Sequence, residues 1–450
     1  MARQGIGALA IFCTVAVVVR AQEVPPGVIA RFDVTQRLEY SDNPDFDVDG
    51  DSDFFGRTVL GFGLESVTQV QRFALNLGTD IEEGRDDGSS FDVTNSSARL
   101  SYDRNTRNAL IGVSANYRES DVSSSISDDD FDLDGNVINQ DSGKRKTYRY
   151  GLNGAVGREA PIGASFNWNY SEIKYSDTSD ADFTDRSTNS FGGRINFRID
   201  PRITARLTGK YIDFDAQGNG TDRETTGLGI GSAFAITPIL SANIGLSYDK
   251  IERTGDETDT DDGVSLNLAV TRDMPNGSLV GRFSSDVASN DNGRRSYLSV
   301  SRAMDLPRGD LSVELGVTGA DTIGTDPLVN INYRHQLPAA ALSFGLSQRV
   351  SIDNDNRERI NTRLRAGYDQ RINSLSSFGV DIAFFDRYNL DAGGNDSQRI
   401  DLSLSYRHDL TRDWGLVSGI SHDLATEDNR DDRQRTTVFV GLQRSFRWNP

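Results

Sequence analysis

Cysteine and histidine are almost absent from this 450-residue chain, which contains one cysteine, Cys13, and three histidines. The histidines fall on separate predicted strands, namely His335, His408 and His422. Ser421 and Asp423 flank His422, but neighbouring residues of a strand point to opposite faces and do not form a catalytic triad. The sequence therefore marks no catalytic residue, and we expect a protein that is not an enzyme.

Long apolar runs are missing as well. Only 36% of the residues are hydrophobic, and no stretch after residue 20 approaches the roughly 20 apolar residues of a membrane-spanning helix. The apolar run at 6–19 follows Arg3 and precedes small residues around Ala21, which predicts a signal peptide over residues 1–21. Cys13 lies within it, so the exported chain would have no thiol, as suits an oxidising envelope.

Positive charge is scarce relative to negative charge. The chain has 48 Lys and Arg against 67 Asp and Glu, a formal net charge of -19. Removal of the signal peptide takes Arg3 and Arg20 with it and leaves 46 basic residues, a net charge of -21. Binding to nucleic-acid phosphates requires a surplus of Lys and Arg, so we exclude nucleic acid as a partner.

One pattern fills the chain from residue 28 to residue 448: an alternating strand, a short turn, a second alternating strand and a longer acidic loop. The long loops are rich in Asp, Asn, Ser and Gly. The short turns carry six prolines: Pro161, Pro201, Pro238, Pro275, Pro307 and Pro338. Strands of roughly ten residues with period-two alternation, joined by short and long connections in turn, are typical of an outer-membrane β-barrel. The short turns are then periplasmic and the long loops lie outside the cell.

The alternation predicts an all-β, antiparallel, up-and-down transmembrane barrel over residues 28–450, after a short periplasmic segment at 22–27. We expect about 22 strands, with 18 to 22 as the range. The predicted strands are 28–41, 55–66, 71–82, 91–103, 108–120, 146–158, 162–175, 186–199, 202–214, 222–236, 239–252, 262–273, 277–288, 293–305, 309–321, 326–337, 339–352, 357–371, 376–388, 396–409, 413–425 and 432–448.

The same alternation assigns the inner face of the barrel. If apolar rows such as Val264, Leu266 and Leu268 face lipid, the residues between them face the interior. The predicted pore-lining arginines are Arg99, Arg118, Arg149, Arg194, Arg198, Arg206, Arg282, Arg334, Arg349, Arg363, Arg365 and Arg407. Acidic side chains are predicted inside at Asp80, Asp249, Asp286, Glu314, Asp381 and Asp401.

These inward charges have two interpretations. Facing rows of Arg and Asp or Glu would pair across the inner wall and stiffen it. Alternatively, the arginines would form an electropositive passage, since rings of arginine select anions. Both interpretations hold together if some arginines are paired and others are not.

A barrel of this width needs a plug or a constricting loop. Energised transporters carry a large N-terminal plug domain, whereas only residues 22–27 precede the first predicted strand here, which argues against that class. The candidate constriction is the longest loop, at 121–145, whose carboxylates would face arginines on the wall as in general porins: Asp128, Asp129, Asp130, Asp132 and Asp134. The alternative is a solvated loop outside the barrel.

Two loops repeat alternate carboxylates followed by glycine. The first has Asp45, Asp47 and Asp49 before Gly50, and the second has Asp130, Asp132 and Asp134 before Gly135. Oxygen ligands at positions 1, 3 and 5 resemble the start of a calcium loop, although neither copy has the bidentate Glu at position 12. The alternatives are a weak Ca²⁺ site on the outer surface, which would also bridge lipopolysaccharide phosphates, and a solvated acidic loop. We expect no other cofactor.

The last predicted strand ends in aromatic residues, Phe446 and Trp448. It resembles the terminal strand by which barrel proteins are recognised for insertion, although Asn449 and Pro450 follow it. We therefore expect the barrel-assembly machinery, outer-membrane lipid and lipopolysaccharide as partners.

The exported chain opens with ARFDVTQRLEYSDNP at residues 30–44. This segment, with its strand ending in Ser41, Asp42 and Asn43, resembles the opening of a β-barrel porin family often associated with exopolysaccharide export in Gram-negative bacteria. The resemblance implies a passive outer-membrane channel for a polar, anionic solute such as an exported polysaccharide. The alternative is a non-conducting structural or adhesive barrel that acts through its acidic surface loops.

Overall fold

The computed structural model describes residues 27–85, 90–122, 143–178, 184–217, 220–255, 258–287, 293–321, 324–352, 358–390 and 396–448. No helix within these ranges is long and apolar enough to cross a membrane. The strands are β1 (Gly27–Ser41), β2 (Asp53–Val67), β3 (Gln71–Arg85), β4 (Ser90–Asn105), β5 (Ala109–Asp121), β6 (Lys144–Val156), β7 (Ile162–Ser176), β8 (Arg186–Asp200), β9 (Ile203–Ala216), β10 (Asp222–Thr237), β11 (Leu240–Thr254), β12 (Thr258–Met274), β13 (Gly277–Val287), β14 (Arg294–Leu306), β15 (Gly309–Ala320), β16 (Thr325–Gln336), β17 (Ala340–Ile352), β18 (Glu358–Arg371), β19 (Ser376–Asn389), β20 (Ser397–Asp409), β21 (Trp414–Glu427) and β22 (Arg433–Trp448).

The 22 strands form one closed antiparallel sheet. Each strand pairs with its neighbours in sequence, and β1 closes the ring with β22, from Ala30 opposite Trp448 to Ser41 opposite Thr437. A closed ring has no edge strand whose N–H and C=O groups lack partners, which is the condition for crossing a bilayer with strands. The predicted barrel and its predicted number of strands are thus confirmed.

The strand boundaries agree with the predicted ones to within three residues, except at the start of β12. This strand begins at Thr258 instead of residue 262, because Arg253 pairs with two carboxylates of the segment before residue 262. Arg253 Nη2 lies 2.6 Å from Asp259 Oδ2 and also bonds Asp261. Because these carboxylates are paired, β12 extends into a segment that the sequence assigns to a loop.

Connections of two to five residues join the strands at one end of the barrel, and the connections at the other end are longer on average but include one of three residues, between β11 and β12. The predicted prolines lie in the short connections, for example Pro201 between β8 and β9 and Pro338 between β16 and β17. Connections at the other end include the long segments 42–52 and 122–143. By the usual orientation of such barrels, the short turns are periplasmic and the long connections lie outside the cell. We call these the periplasmic end and the outer end.

The two faces of the sheet differ in chemistry. Val264, Leu315 and Ile230 belong to an apolar face and are more than half exposed. Residues between them form a polar face on which charged side chains such as Arg57 and Asp249 are buried. A curved wall shields side chains on its concave side, so the polar face lines the interior and the apolar face meets lipid.

Several predicted features lie outside the described residues. They include the signal peptide with Cys13, residues 22–26, and Asn449 with Pro450. Most of the predicted constriction loop also lies outside, with Asp128, Asp129, Asp130, Asp132 and Asp134 and therefore the whole second calcium-like motif.

Candidate functional site: the inner wall of the barrel

The cross-strand register places every predicted pore-lining arginine on the inner face. Arg363 stands opposite Phe385 and Ser347, and Arg194 stands opposite Ser165; their apolar neighbours Leu364 and Ile195 point outward. The same holds for Arg99, Arg118, Arg149, Arg198, Arg206, Arg282, Arg334, Arg349, Arg365 and Arg407. A part of these side chains in solute passage stays a prediction.

Near the outer end, one arginine joins three strands. Arg57 on β2 is completely buried; its Nε lies 3.0 Å from Glu39 Oε2, its Nη1 3.3 Å from Asp80 Oδ2 and its Nη2 2.9 Å from Glu82 Oε1. Asn95 Nδ2 also donates to Asp80, at 3.1 Å. One guanidinium thus pairs with carboxylates on β1 and β3, as the pairing interpretation requires. We call these residues the Arg57 cluster.

A second buried cluster lies on β20–β22. Arg399 Nε is 2.8 Å from Asp401 Oδ1, and Arg435 Nη2 is 2.7 Å from Asp423 Oδ2. The ring of Phe46, from the connection between β1 and β2, covers both arginines, with guanidinium carbons 5.3 and 5.0 Å from its centroid. Phe46 is 1% exposed, so this connection folds inward over the wall.

Backbone and amide contacts hold this connection in place. Asn43 Nδ2 donates to the Asp47 carbonyl at 2.6 Å and to the Gln434 carbonyl at 2.9 Å, while Asp47 N–H donates to Asn43 Oδ1 at 3.0 Å. A Cβ at Gly50 would stand 1.8 Å from Asn43 Oδ1. The glycine of the first calcium-like motif is therefore required by the packing of Asn43.

The first calcium-like motif is within the described residues. Among these residues, no group of three or more His, Cys, Asp or Glu side chains converges as a metal site requires, and Asp45, Asp47 and Asp49 form no such group. Calcium binding at this loop stays a prediction.

Further inward cations are paired along the wall. The ion pairs are Arg282 Nη1–Glu314 Oε1 at 3.1 Å, Lys210 Nζ–Asp249 Oδ1 at 2.9 Å and Arg407 Nε–Asp409 Oδ1 at 3.0 Å. Two of these pairs involve predicted pore-lining arginines, Arg282 and Arg407, which therefore follow the interpretation in which inward charges pair along the wall.

One sector of the wall has a different charge. Above the periplasmic turn that begins at Asp200, the inward positions of β5–β9 carry no acidic residue within the described ranges, and their basic residues are Arg118, Arg145, Arg149, Arg186, Arg194, Arg198, Arg206 and Lys210. We call this sector the basic wall. No hydrogen bond or ion pair between described residues involves Arg118, Arg194 or Arg206. Arg206 stands opposite Asn196, diagonal to Arg194, a spacing of roughly 7–8 Å.

Small polar residues accompany the arginines of the basic wall. Asn167 stands opposite Gly192 and Asn153, and Thr208 stands opposite Arg194 and Gly229. Such side chains leave the interior wide and offer hydrogen-bond donors and acceptors. The wall can therefore hydrate and bind a polar solute without filling the lumen.

Sequence reasoning missed part of this site. Phe54 and Phe55 put an aromatic residue on each face of β2 just before Arg57. The alternation therefore does not show whether Arg57 faces the interior or lipid. The inward position of Arg399 could have been predicted from the sequence, since Arg399 lies two residues before Asp401, which the sequence assigns to the interior. No periodic signal distinguishes Phe46 from Val48 within the acidic connection.

The fold and the wall define a transmembrane β-barrel of the outer-membrane type with a charged interior. Similar solved structures include a variant of the FrpB iron transporter from Neisseria meningitidis, with 9% identity, a TM-score of 0.56 and coverage of 92% of this chain and 82% of that chain. A mutant of the Pseudomonas aeruginosa ferric enterobactin receptor PfeA in complex with enterobactin has 8% identity, a TM-score of 0.53 and coverage of 93% and 81%.

A third similar structure is the siderophore receptor PirA from Acinetobacter baumannii, with 8% identity, a TM-score of 0.52 and coverage of 93% and 80%. Identities this low establish the shared barrel fold alone. No protein-family profile matches the chain, and no curated protein matches it. The three neighbours are iron transporters or siderophore receptors, so the resemblance to exopolysaccharide-export porins stays a prediction.

Proposed function

We propose that this protein is an outer-membrane transport barrel whose interior conducts polar, anionic solutes along the basic wall. The observation that carries the proposal is the separation of charge around the inner wall. Above the periplasmic turn at Asp200, the inward charges of β5–β9 are all positive among the described residues, although the whole chain has a net charge of -19. Rows of arginine in a pore attract anions and select them over cations.

The chemistry of the basic wall favours a carboxylated or otherwise anionic solute that also carries hydroxyl groups. Arg194 and Arg206 would bind the anionic groups, and Asn167 and Thr208 would hydrogen-bond hydroxyls. An exported acidic polysaccharide has this chemistry. The structural neighbours add anionic iron chelates as a second solute class to be tested.

The test is ion current through the purified protein in planar bilayers. We expect stable conductance. In a KCl gradient, the reversal potential should show that the pore is more permeable to chloride than to potassium. The triple variant R118S/R194S/R206S should lose most of this preference, because those arginines have no carboxylate partner in the described part of the chain. The matched control is K250S, which removes a cation from the lipid-facing side of β11 and should leave the reversal potential unchanged.

The class of solute that enters the pore is determined from how strongly added solutes block the current. Oligogalacturonate should block the pore at lower concentration than a neutral maltooligosaccharide of equal length, and ferric enterobactin serves as the iron-chelate arm. Folded, membrane-inserted protein without any current would overturn the proposal and favour the structural or adhesive barrel. Equal block by neutral and acidic oligosaccharides would reject the anionic solute while keeping the channel.

A further inference from the structure

Lysine is confined to a few positions of the barrel. The chain has 48 basic residues, of which only five are lysines, Lys144, Lys146, Lys174, Lys210 and Lys250. Lys210 faces the interior beside Asp249. The other four project from the lipid-facing side near the outer end, and three of them lie together on the adjacent strands β6 and β7.

Two of these lysines stand directly opposite each other. Lys146 pairs with Lys174 across β6 and β7, and their side chains are 34% and 46% exposed. Like charges in a directly opposite cross-strand pair are unfavourable unless something neutralises them. An anion bound between the two ammonium groups would remove this repulsion.

The protein neutralises these cations only in part. Glu172 Oε1 is 2.8 Å from Lys174 Nζ, but the carboxylate of Glu119 lies 3.9 Å from both Lys144 Nζ and Lys146 Nζ. Asp92 Oδ1 is 3.8 Å from Lys144 Nζ. Distances of 3.8–3.9 Å exceed hydrogen-bond length, so the ammonium protons of Lys144 and Lys146 have no acceptor among the described residues.

Tyrosines lie directly below the lysines on the same outer surface. The rings of Tyr117 and Tyr148 are 5.2 Å apart, and those of Tyr150 and Tyr170 are stacked at 6.1 Å. Tyr148 and Tyr150 follow Lys146 by two and four residues toward the periplasmic end. Tyrosine belts lie at the headgroup level of a bilayer, which places the lysines at the height of lipid phosphates in the outer leaflet.

An apolar groove continues this strip into the hydrocarbon region. Outward-facing Gly154, Gly193 and Gly209 flank Phe166 on neighbouring strands and leave a cavity of about 580 Å³, which extends to Phe191. The missing side chains make room for a chain that lies along the wall, and the lining is almost entirely apolar.

We propose that this strip is a binding site for a phosphorylated glycolipid of the outer leaflet. Lys144, Lys146 and Lys174 bind its phosphates, the tyrosine pairs contact its sugars, and the groove holds one acyl chain. Basic clusters at a membrane surface attract anionic headgroups, and here the cations, aromatic rings and groove follow one another in the order of headgroup, interface and tail. The site is independent of solute passage through the interior.

The test is calorimetric titration of the detergent-solubilised barrel with bisphosphorylated lipid A. We expect the triple variant K144Q/K146Q/K174Q to bind about tenfold or more weakly, because each basic residue contributes to headgroup attraction. The matched control K250Q removes the fourth outward lysine, which lies outside the strip on β11, and should bind like the unmodified protein. Dephosphorylated lipid A should not distinguish the triple variant from the unmodified protein.

If the triple variant does not fold, as judged by loss of heat-modifiable gel migration, Gly193→Leu fills the groove instead, where a Cβ would meet only the Phe191 ring at 3.9 Å. This variant should weaken binding of lipid A without affecting inorganic phosphate. Unchanged lipid A affinity in the folded triple variant or in the Gly193→Leu variant, or full competition by inorganic phosphate, would overturn the proposal.

Discussion

At the scale of single residues, burial determines what a charge contributes. Arg57 and Arg407 both face the interior and both pair with carboxylates, but Arg57 is 0% exposed and Arg407 is 49% exposed. Removal of a buried partner leaves uncompensated charges in a medium of low dielectric. A solvent-exposed pair is screened by water.

We expect Arg57→Met to destabilise the barrel by about 3–5 kcal/mol, since Glu39, Asp80 and Glu82 would lose their shared cation. The control Arg407→Met should cost less than about 1 kcal/mol. Both values follow from urea unfolding of the protein in lipid vesicles. Equal midpoints for the two variants would mean that the Arg57 cluster is solvated.

Phe46 provides a second test at this scale. Phe46→Ala should cost about 3 kcal/mol, because a buried ring that covers two guanidinium groups leaves a cavity. Val48 lies in the same connection but is 44% exposed, so Val48→Ala should change stability by less than about 0.5 kcal/mol. The same urea unfolding assay compares the two variants. An unchanged free energy of unfolding in Phe46→Ala would show that the connection does not pack on the wall.

At the scale of elements, the alternation of the sequence predicts strands well and their ends less well. The turns with Pro201 and Pro338 fix strand ends locally, since proline cannot continue a central strand. The start of β12 depends instead on Arg253 of the preceding strand. The periodicity of one strand does not show which residues of a neighbouring strand it contacts.

Substitution of Arg253 should therefore shorten β12. In Arg253→Gln, the amides of residues 258–261 should exchange with solvent roughly tenfold faster, the equivalent of a charged hydrogen bond of about 1.5 kcal/mol. Lys250→Gln breaks a pair with Glu252 on the outward side of the same hairpin and is the control. Hydrogen exchange followed by mass spectrometry resolves this segment, and unchanged protection in Arg253→Gln would rule out the ion pair as the cause.

At the scale of the whole molecule, closure of β1 on β22 brings the two ends of the chain together. Leu38 and Val440 stand opposite each other at this seam, and both side chains face lipid, about half exposed. Paired strands bring such residues within the Cα distance that a disulfide needs.

The double variant L38C/V440C should form a disulfide in the folded barrel and migrate as a circular species on non-reducing gels. The control L38C/S418C places the second cysteine on β21, at the same height but two strands away, roughly 10 Å, which is too far for a bond. Cross-linking of the control, or none in the seam variant, would contradict the closure between β1 and β22.

The sequence by itself determined the barrel class, the number of strands, their ends to within three residues except at β12, and the face to which most side chains belong. These properties are local, because alternation and turn chemistry depend on residues adjacent along the chain. Only the tertiary structure decided that Arg57 and Arg399 are buried in ion pairs, that Phe46 covers the wall, and that Lys146 faces Lys174. These contacts depend on cross-strand register and ring closure, which set the distances between residues far apart in sequence.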